Sequence, residues 1–148
     1  MSPESVVIRP ARDVDRDHVW PLVREFADSY VADKDAFLTS FSELTVRSDT
    51  LVLVAELNAE IIGYLLASCH GTFFVNGSVA WIEEVMVAEP ARGTGVGRSL
   101  MDRAEEWAAA MPVRYVSLAS RRSGDFYRKC GYVDSAIYFK KDLIAPGS

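Results

Sequence analysis

Three glycines in five residues, Gly93, Gly95 and Gly97, stand between Arg92 and Arg98 in the stretch ARGTGVGRSL, residues 91–100. Inside a regular element each glycine costs about 0.5–1 kcal/mol relative to alanine, so such a cluster marks a place where backbone shape outweighs local stability. An apolar, strand-like run precedes it and an amphipathic, helix-like run follows. A strand that enters a glycine turn and opens a helix is suited to holding phosphate, because backbone N–H groups face the anion and the helix N-terminus adds partial positive charge. Two common phosphate loops do not fit. The dinucleotide spacing G-x-G-x-x-G meets Arg98 at its third glycine when counted from Gly93, and Leu100 when counted from Gly95. The nucleoside-triphosphate loop G-x-x-x-x-G-K-[ST] lacks its lysine and hydroxyl pair. What remains is Arg92-x-x-Gly95-x-Gly97.

Other chemistries find little support. The two histidines, His18 and His70, have no second histidine or cysteine at ligand spacing, so no metal is expected. There is no Ser/His/Asp or Cys/His constellation for covalent catalysis. Cys69 and Cys130 lie in apolar contexts and read as reduced, buried thiols. Sixteen basic against 21 acidic residues leave a net charge of −5, which disfavours a nucleic-acid groove. The longest apolar run, Ile61 to Cys69, is far short of the ~20 residues that span a bilayer. The polar, acidic N-terminus does not read as a signal peptide, so a cytoplasmic protein with no membrane partner is expected.

The elements that must position the loop follow from periodicity. Val6–Arg12 reads as a strand, and Asp13 as the cap of a helix reaching Tyr30 through Val19, Leu22, Val23 and Phe26, with Pro21 as a possible kink. A second helix is predicted from about Lys34 to Val46. Leu51–Leu57 and Glu60–Thr72 read as a hairpin turning at Asn58 and Ala59, and Val79–Val87 as the next strand. Val96, Leu100, Ala104 and Trp107 mark a helix ending near Met111. Val113–Ala119 is a fifth strand, Ser123–Cys130 a short helix stopped by Gly131, and Asp134–Leu143 a last strand. With 148 residues and 49% hydrophobic composition, the chain is expected to form one domain, 1–148. The order is mixed α/β, with antiparallel hairpins ahead of a strand–helix–strand crossover.

With that order in place, Arg92-x-x-Gly95-x-Gly97 resembles the R/Q-x-x-G-x-G/A signature of the GNAT acyltransferases. The stretch DFYRKCGY resembles that family's later F-Y-x-x-x-G-F/Y segment. The likeness covers nearly the whole chain, residues 1–50 matching only in kind. It implies a central mixed, twisted sheet flanked by helices, with acetyl-CoA as cosubstrate. Backbone groups of Val85, Met86 and Val87 would then pair with the pantetheine arm, and a bulge or splay would free an amide to polarise the thioester carbonyl. N–H groups of Arg92, Gly93, Thr94, Gly95, Val96, Gly97 and Arg98 would surround the pyrophosphate. Tyr127 would give a proton to the departing thiolate. Many members carry an asparagine ahead of F-Y; this chain has LASRRSGDFY, which leaves Ser120 or Ser123 as candidate substitutes.

The resemblance also gives a role to Glu83 and Glu84. An amine acceptor with a pKa near ~10.4 is protonated at neutral pH and must lose that proton before it attacks. Adjacent strand residues face opposite ways, so one glutamate lines the acceptor side. A similar acidic pair in polyamine acetyltransferases makes Glu83 the first candidate and Glu84 the second. The implied activity is N-acetyl transfer to a small-molecule or peptide amine by direct attack; the alternative is a non-catalytic acyl-CoA-binding or sensing module. Residues 28–46 and 70–79 and the chain around Tyr138 should shape the acceptor pocket, and Asp28, Asp33, Asp35 and Glu43 suggest a cationic amine. Adjacent Phe73 and Phe74 could cover that pocket, form a subunit contact or pack within their loop. Monomer and homodimer are both compatible with the sequence.

Overall fold

The computed structural model describes residues 5–28 and 30–145. Its strands are β1 (Val7–Pro10), β2 (Thr50–Leu57), β3 (Glu60–Gly71), β4 (Ser78–Val87) and β5 (Val116–Leu118). Its helices are α1 (Arg16–Phe26), α2 (Lys34–Leu44), α3 (Val96–Ala110) and α4 (Gly124–Lys129). The five strands lie in the order β1-β2-β3-β4-β5, antiparallel except for the parallel β4–β5 pair that α3 connects. This is the mixed sheet with flanking helices that the resemblance implies.

Alternation along the strands builds two cores. Leu53, Ala55, Leu65, Ala67 and Ile82 face α3, where Val96, Leu100, Met101 and Ala104 cover them. Val54 and Tyr64 face the other way, under Val19, Leu22 and Phe41 of α1 and α2. The β2–β3 turn places both Asn58 and Ala59 at positive φ, 50° and 65°, the tight hairpin geometry whose twist matches the strands.

One boundary, one proline and one strand depart from the sequence reading. α1 ends at Phe26 rather than Tyr30, because Ala27 leaves helical geometry at ψ 121°. It also runs through Pro21 without breaking: Val19 and Leu22, on either side, are buried, and their packing outweighs the lost backbone bond. The expected strand at Asp134–Leu143 does not form. Residues 132–142 carry no strand, and side-chain contacts hold them, Tyr138 stacking on Trp81 at 6.2 Å and the Tyr30 hydroxyl donating to Asp142 at 2.9 Å. Cys69 and Cys130 are free thiols as expected, but only partly buried.

Candidate active site

β4 and β5 pair at Ala80/Val116, Trp81/Ser117 and Ile82/Leu118. Past Ile82, β4 continues to Val87 with β3 on one side and, among the described residues, no strand on the other. The two parallel strands therefore part, because β5 is only three residues long and the chain then turns towards α4. Val85, Met86 and Val87 lie on the edge this exposes.

A bulge sits at the point of parting. Leu66 faces Glu84 and Ala67 faces Ile82, so Glu83 is the extra residue. Glu83 is exposed. Glu84 turns inward on the α1/α2 face, where the buried Tyr64 hydroxyl donates to its Oε1 at 2.7 Å. Burial pushes the Glu84 carboxyl above its ordinary range, the Tyr64 hydrogen bond partly offsets this, and neighbouring Glu83 adds to the rise. Tyr64 itself is pushed up by burial and by the Glu84 charge, which keeps it a hydrogen-bond donor. Tyr64 was not evident as a site residue from sequence: its contact with Glu84 depends on a bulge that no residue type announces.

The glycine loop joins the exposed edge to α3. Gly93 and Gly95 adopt positive φ, 79° and 93°, a backbone that residues with side chains rarely take. Gly95 is the N-cap of α3 and no side chain caps that helix, so its first N–H groups depend on other acceptors. Gly97 is small for a different reason from the one expected: a Cβ there would stand 3.3 Å from Cζ of Phe126. Val96 is buried and anchors the first turn. The Arg92 guanidinium donates to Val87 O at 2.9 Å and Glu25 at 3.2 Å, while Arg98 donates to Asp102 and Lys129 O, each at 3.2 Å. Both arginine side chains brace the loop, as does the Thr94 hydroxyl bonded to Ala91 O.

Phe126 carries α4 onto the start of α3. Tyr127, next to it, is half-buried, its ring edge-on to Phe126 at 5.0 Å and to Tyr132 at 6.1 Å. Burial raises its hydroxyl pKa, so the group stays protonated at neutral pH. Ser120 Oγ accepts from Ser123 N at 3.0 Å and shapes the turn into α4. Arg122 reaches Asp28 and ties this turn to the chain after α1.

Several residues expected near an acceptor have structural roles. Asp28 is engaged by Arg122, and Asp33 caps α2 by accepting from Ala36 N at 2.9 Å, so neither carboxylate is reserved for a cationic amine. His18 and His70 are exposed, and Phe73 and Phe74 project from the β3–β4 turn rather than packing within it. Among the described residues no group of three or more His, Cys, Asp or Glu could hold a metal, and no helix is long and apolar enough to cross a membrane.

A parallel strand pair that parts beside an uncapped helix start sets an open backbone edge next to free N–H groups in a mixed α/β fold. An aminoglycoside N-acetyltransferase, AAC(6')-Iy, solved in complex with CoA, superposes with a TM-score of 0.79 at 19% identity, over 94% of this chain and 95% of that one. An uncharacterized N-acetyltransferase of Archaeoglobus fulgidus is 30% identical over 145 residues, 93% of this chain and 94% of the relative. The aminoalkylphosphonate N-acetyltransferase of Salmonella typhimurium is 28% identical over 142 residues, 92% of this chain and 90% of the relative. Residues 16–132 match the acetyltransferase (GNAT) family, and the chain belongs to it.

Proposed function

We propose that this acetyltransferase transfers the acetyl group of acetyl-CoA to a primary amine by direct attack, without a covalent acyl-enzyme, in one domain spanning residues 1–148. The observation that carries the reading is the β4 edge from Glu83 to Val87, open on the β5 side and leading into a glycine turn at an uncapped helix. Acetyl-CoA supplies an acyl group activated as a thioester. Backbone groups of Val85, Met86 and Val87 hold the pantetheine arm as an added strand would be held. The N–H groups from Gly93 to Arg98 hold the pyrophosphate, with Gly93 and Gly95 providing the curvature, while the Arg92 N–H is already given to Glu89 O at 3.2 Å. Ser120 and Ser123 border the cofactor arm at the turn into α4.

Glu84 takes the proton of the incoming ammonium, directly or through water, so that the amine nitrogen can bond to the carbonyl carbon. Its raised pKa and its hydrogen bond to Tyr64 favour it over Glu83, which is solvated. As the C–S bond breaks, the Tyr127 hydroxyl delivers a proton to sulfur. The acceptor is a small amine. The aminoalkylphosphonate and aminoglycoside enzymes named above make those two classes the first to try.

The test is thiol release from acetyl-CoA by the purified chain against aminoalkylphosphonates, aminoglycosides, polyamines, amino acids and a peptide N-terminus. Amine-dependent release, lost in Tyr127→Phe while CoA binding persists, is expected. CoA binding with no release for any amine would favour the binding-module alternative. An acetylated protein formed without amine would overturn direct attack.

A further inference from the structure

The Arg92 side chain lies across the edge along which the cofactor arm is to be held. Ala88 N donates to Ile62 O at 2.8 Å beside the Gly63/Val87 pair, and by the alternation of an antiparallel ladder Val87 turns its own N–H and C=O away from β3, towards the open side. Arg92 Nε donates to that outward Val87 O at 2.9 Å, and its Nη2 reaches Glu25 of α1 at 3.2 Å and the Met86 sulfur at 4.0 Å. Both charged side chains are about half exposed, so a ligand can reach the pair. Helix stability does not explain Glu25. It is the next-to-last residue of α1, where a carboxylate meets the negative end of the helix dipole. The Arg92 N–H is given to Glu89 O, so the guanidinium is what this residue can offer an anion.

We propose that Glu25 is a positioning residue that acts through Arg92: it holds the guanidinium on the edge of the unloaded chain, and the pyrophosphate of acetyl-CoA must take the guanidinium from it. The inference rests on the cofactor lying along β4 and the glycine loop, as proposed above. Arg92 immediately precedes Gly93, the first residue of that loop at positive φ, so its flexible side chain can swing from Val87 O to an anion held there. A guanidinium pairs its N–H groups with phosphate oxygens, and a pyrophosphate carries more negative charge than one carboxylate, so the exchange runs towards the cofactor. The same movement uncovers Val87 O, a carbonyl that the pantetheine arm uses. Glu25 thereby opposes cofactor binding, and helps CoA to leave by recapturing the guanidinium, without touching the cofactor itself.

Calorimetry of CoA binding to the full chain tests this. Glu25→Gln should bind CoA about two- to fivefold more tightly than the wild type, the span that an exposed ion pair contributes. The sign is what matters, because a carboxylate that merely stiffened the loop would weaken binding when removed. Arg92→Gln should by itself weaken CoA binding, and in that background Glu25→Gln should add no gain, since no guanidinium is left to release. Glu25 is exposed, so its variant should keep the wild-type melting transition. Unchanged or weaker CoA binding in Glu25→Gln overturns the proposal, as does a gain that survives Arg92→Gln, which would be a general effect of one negative charge fewer. Failure of the wild type and Glu25→Gln alike to bind CoA would overturn the cofactor's placement as well, whereas wild-type binding that ignores Glu25 removes this inference alone.

Discussion

Glu84 combines a half-buried carboxyl with a single strong donor, the Tyr64 hydroxyl at 2.7 Å, and this pairing leads to a pH dependence with a definite sign. Burial raises the folded-state pKa above the ordinary 4.5, so the folded chain holds this proton more tightly than the unfolded one. Stability should therefore fall as pH rises from the ordinary value through the raised one, and with Glu84 as the proposed base activity should rise over the same window. Glu84→Gln keeps an acceptor for Tyr64 without a buried charge. It should lower kcat by about 10²–10⁴-fold, the usual span for a general base, yet raise the melting temperature at neutral pH. Because the Tyr64 bond favours the charged carboxylate, Tyr64→Phe should move the acidic limb of the kcat/KM profile to higher pH. Glu83→Gln should keep the limb and move it the other way, to lower pH, because it removes a neighbouring negative charge that raises the Glu84 pKa. A profile unmoved by Glu84→Gln would remove the base assignment.

At the scale of elements, two turns decide how the sheet meets the site. Ala59 holds a left-handed φ of 65° in the β2–β3 turn, where a side chain is a disadvantage. Ala59→Gly should stabilise the fold by about 0.5–1 kcal/mol, read from chemical denaturation, because it relieves that strain in a turn that favours glycine. Gly95 holds φ 93° at the N-cap of α3, and Gly95→Ala should have the opposite effect, costing about 1–2 kcal/mol. Because that residue orients the first N–H groups of α3, calorimetry should also find weaker CoA binding in the same variant. The site's shape depends equally on the shortness of β5: a longer ladder past Ile82 and Leu118 would close the edge that Val85 to Val87 present.

Across the whole molecule, one polar group lies inside the fold's first corner. Asp15 is buried and takes a two-pronged bond from Arg9, both contacts at 2.8 Å, plus Arg12 N at 2.7 Å, while Arg9 also reaches Glu56 at 3.0 Å. The network fastens β1 to the start of α1 and to β2. Asp15→Asn should destabilise the chain by about 2–4 kcal/mol, at the lower end for a broken buried pair because Arg9 keeps Glu56 and some solvent. The Arg9 guanidinium holds the Asp15 carboxyl below its ordinary 3.8, so the unfolded chain binds the extra proton. The stabilisation is complete above that value and is lost as pH falls through the folded-state pKa; the variant's melting temperature should therefore flatten over this acid range.

Much of the protein could be read from local pattern. The period-two runs of β2, β3 and β4, the period of α3, the Asn58–Ala59 turn and the glycine loop each depend on neighbours a few residues apart, which sequence displays directly. Tertiary structure alone decided the remainder. The bulge at Glu83 leaves that side chain exposed and turns Glu84 towards Tyr64, because register is set by pairing with β3 and not by β4 itself. Gly97 answers to Phe126, about thirty places along the chain, and Tyr64 to Glu84 across a ladder. The segment from Asp134 to Leu143 has the composition of a strand without a strand's partner: composition is a property of the chain, whereas a ladder needs a second backbone that no stretch of sequence supplies by itself.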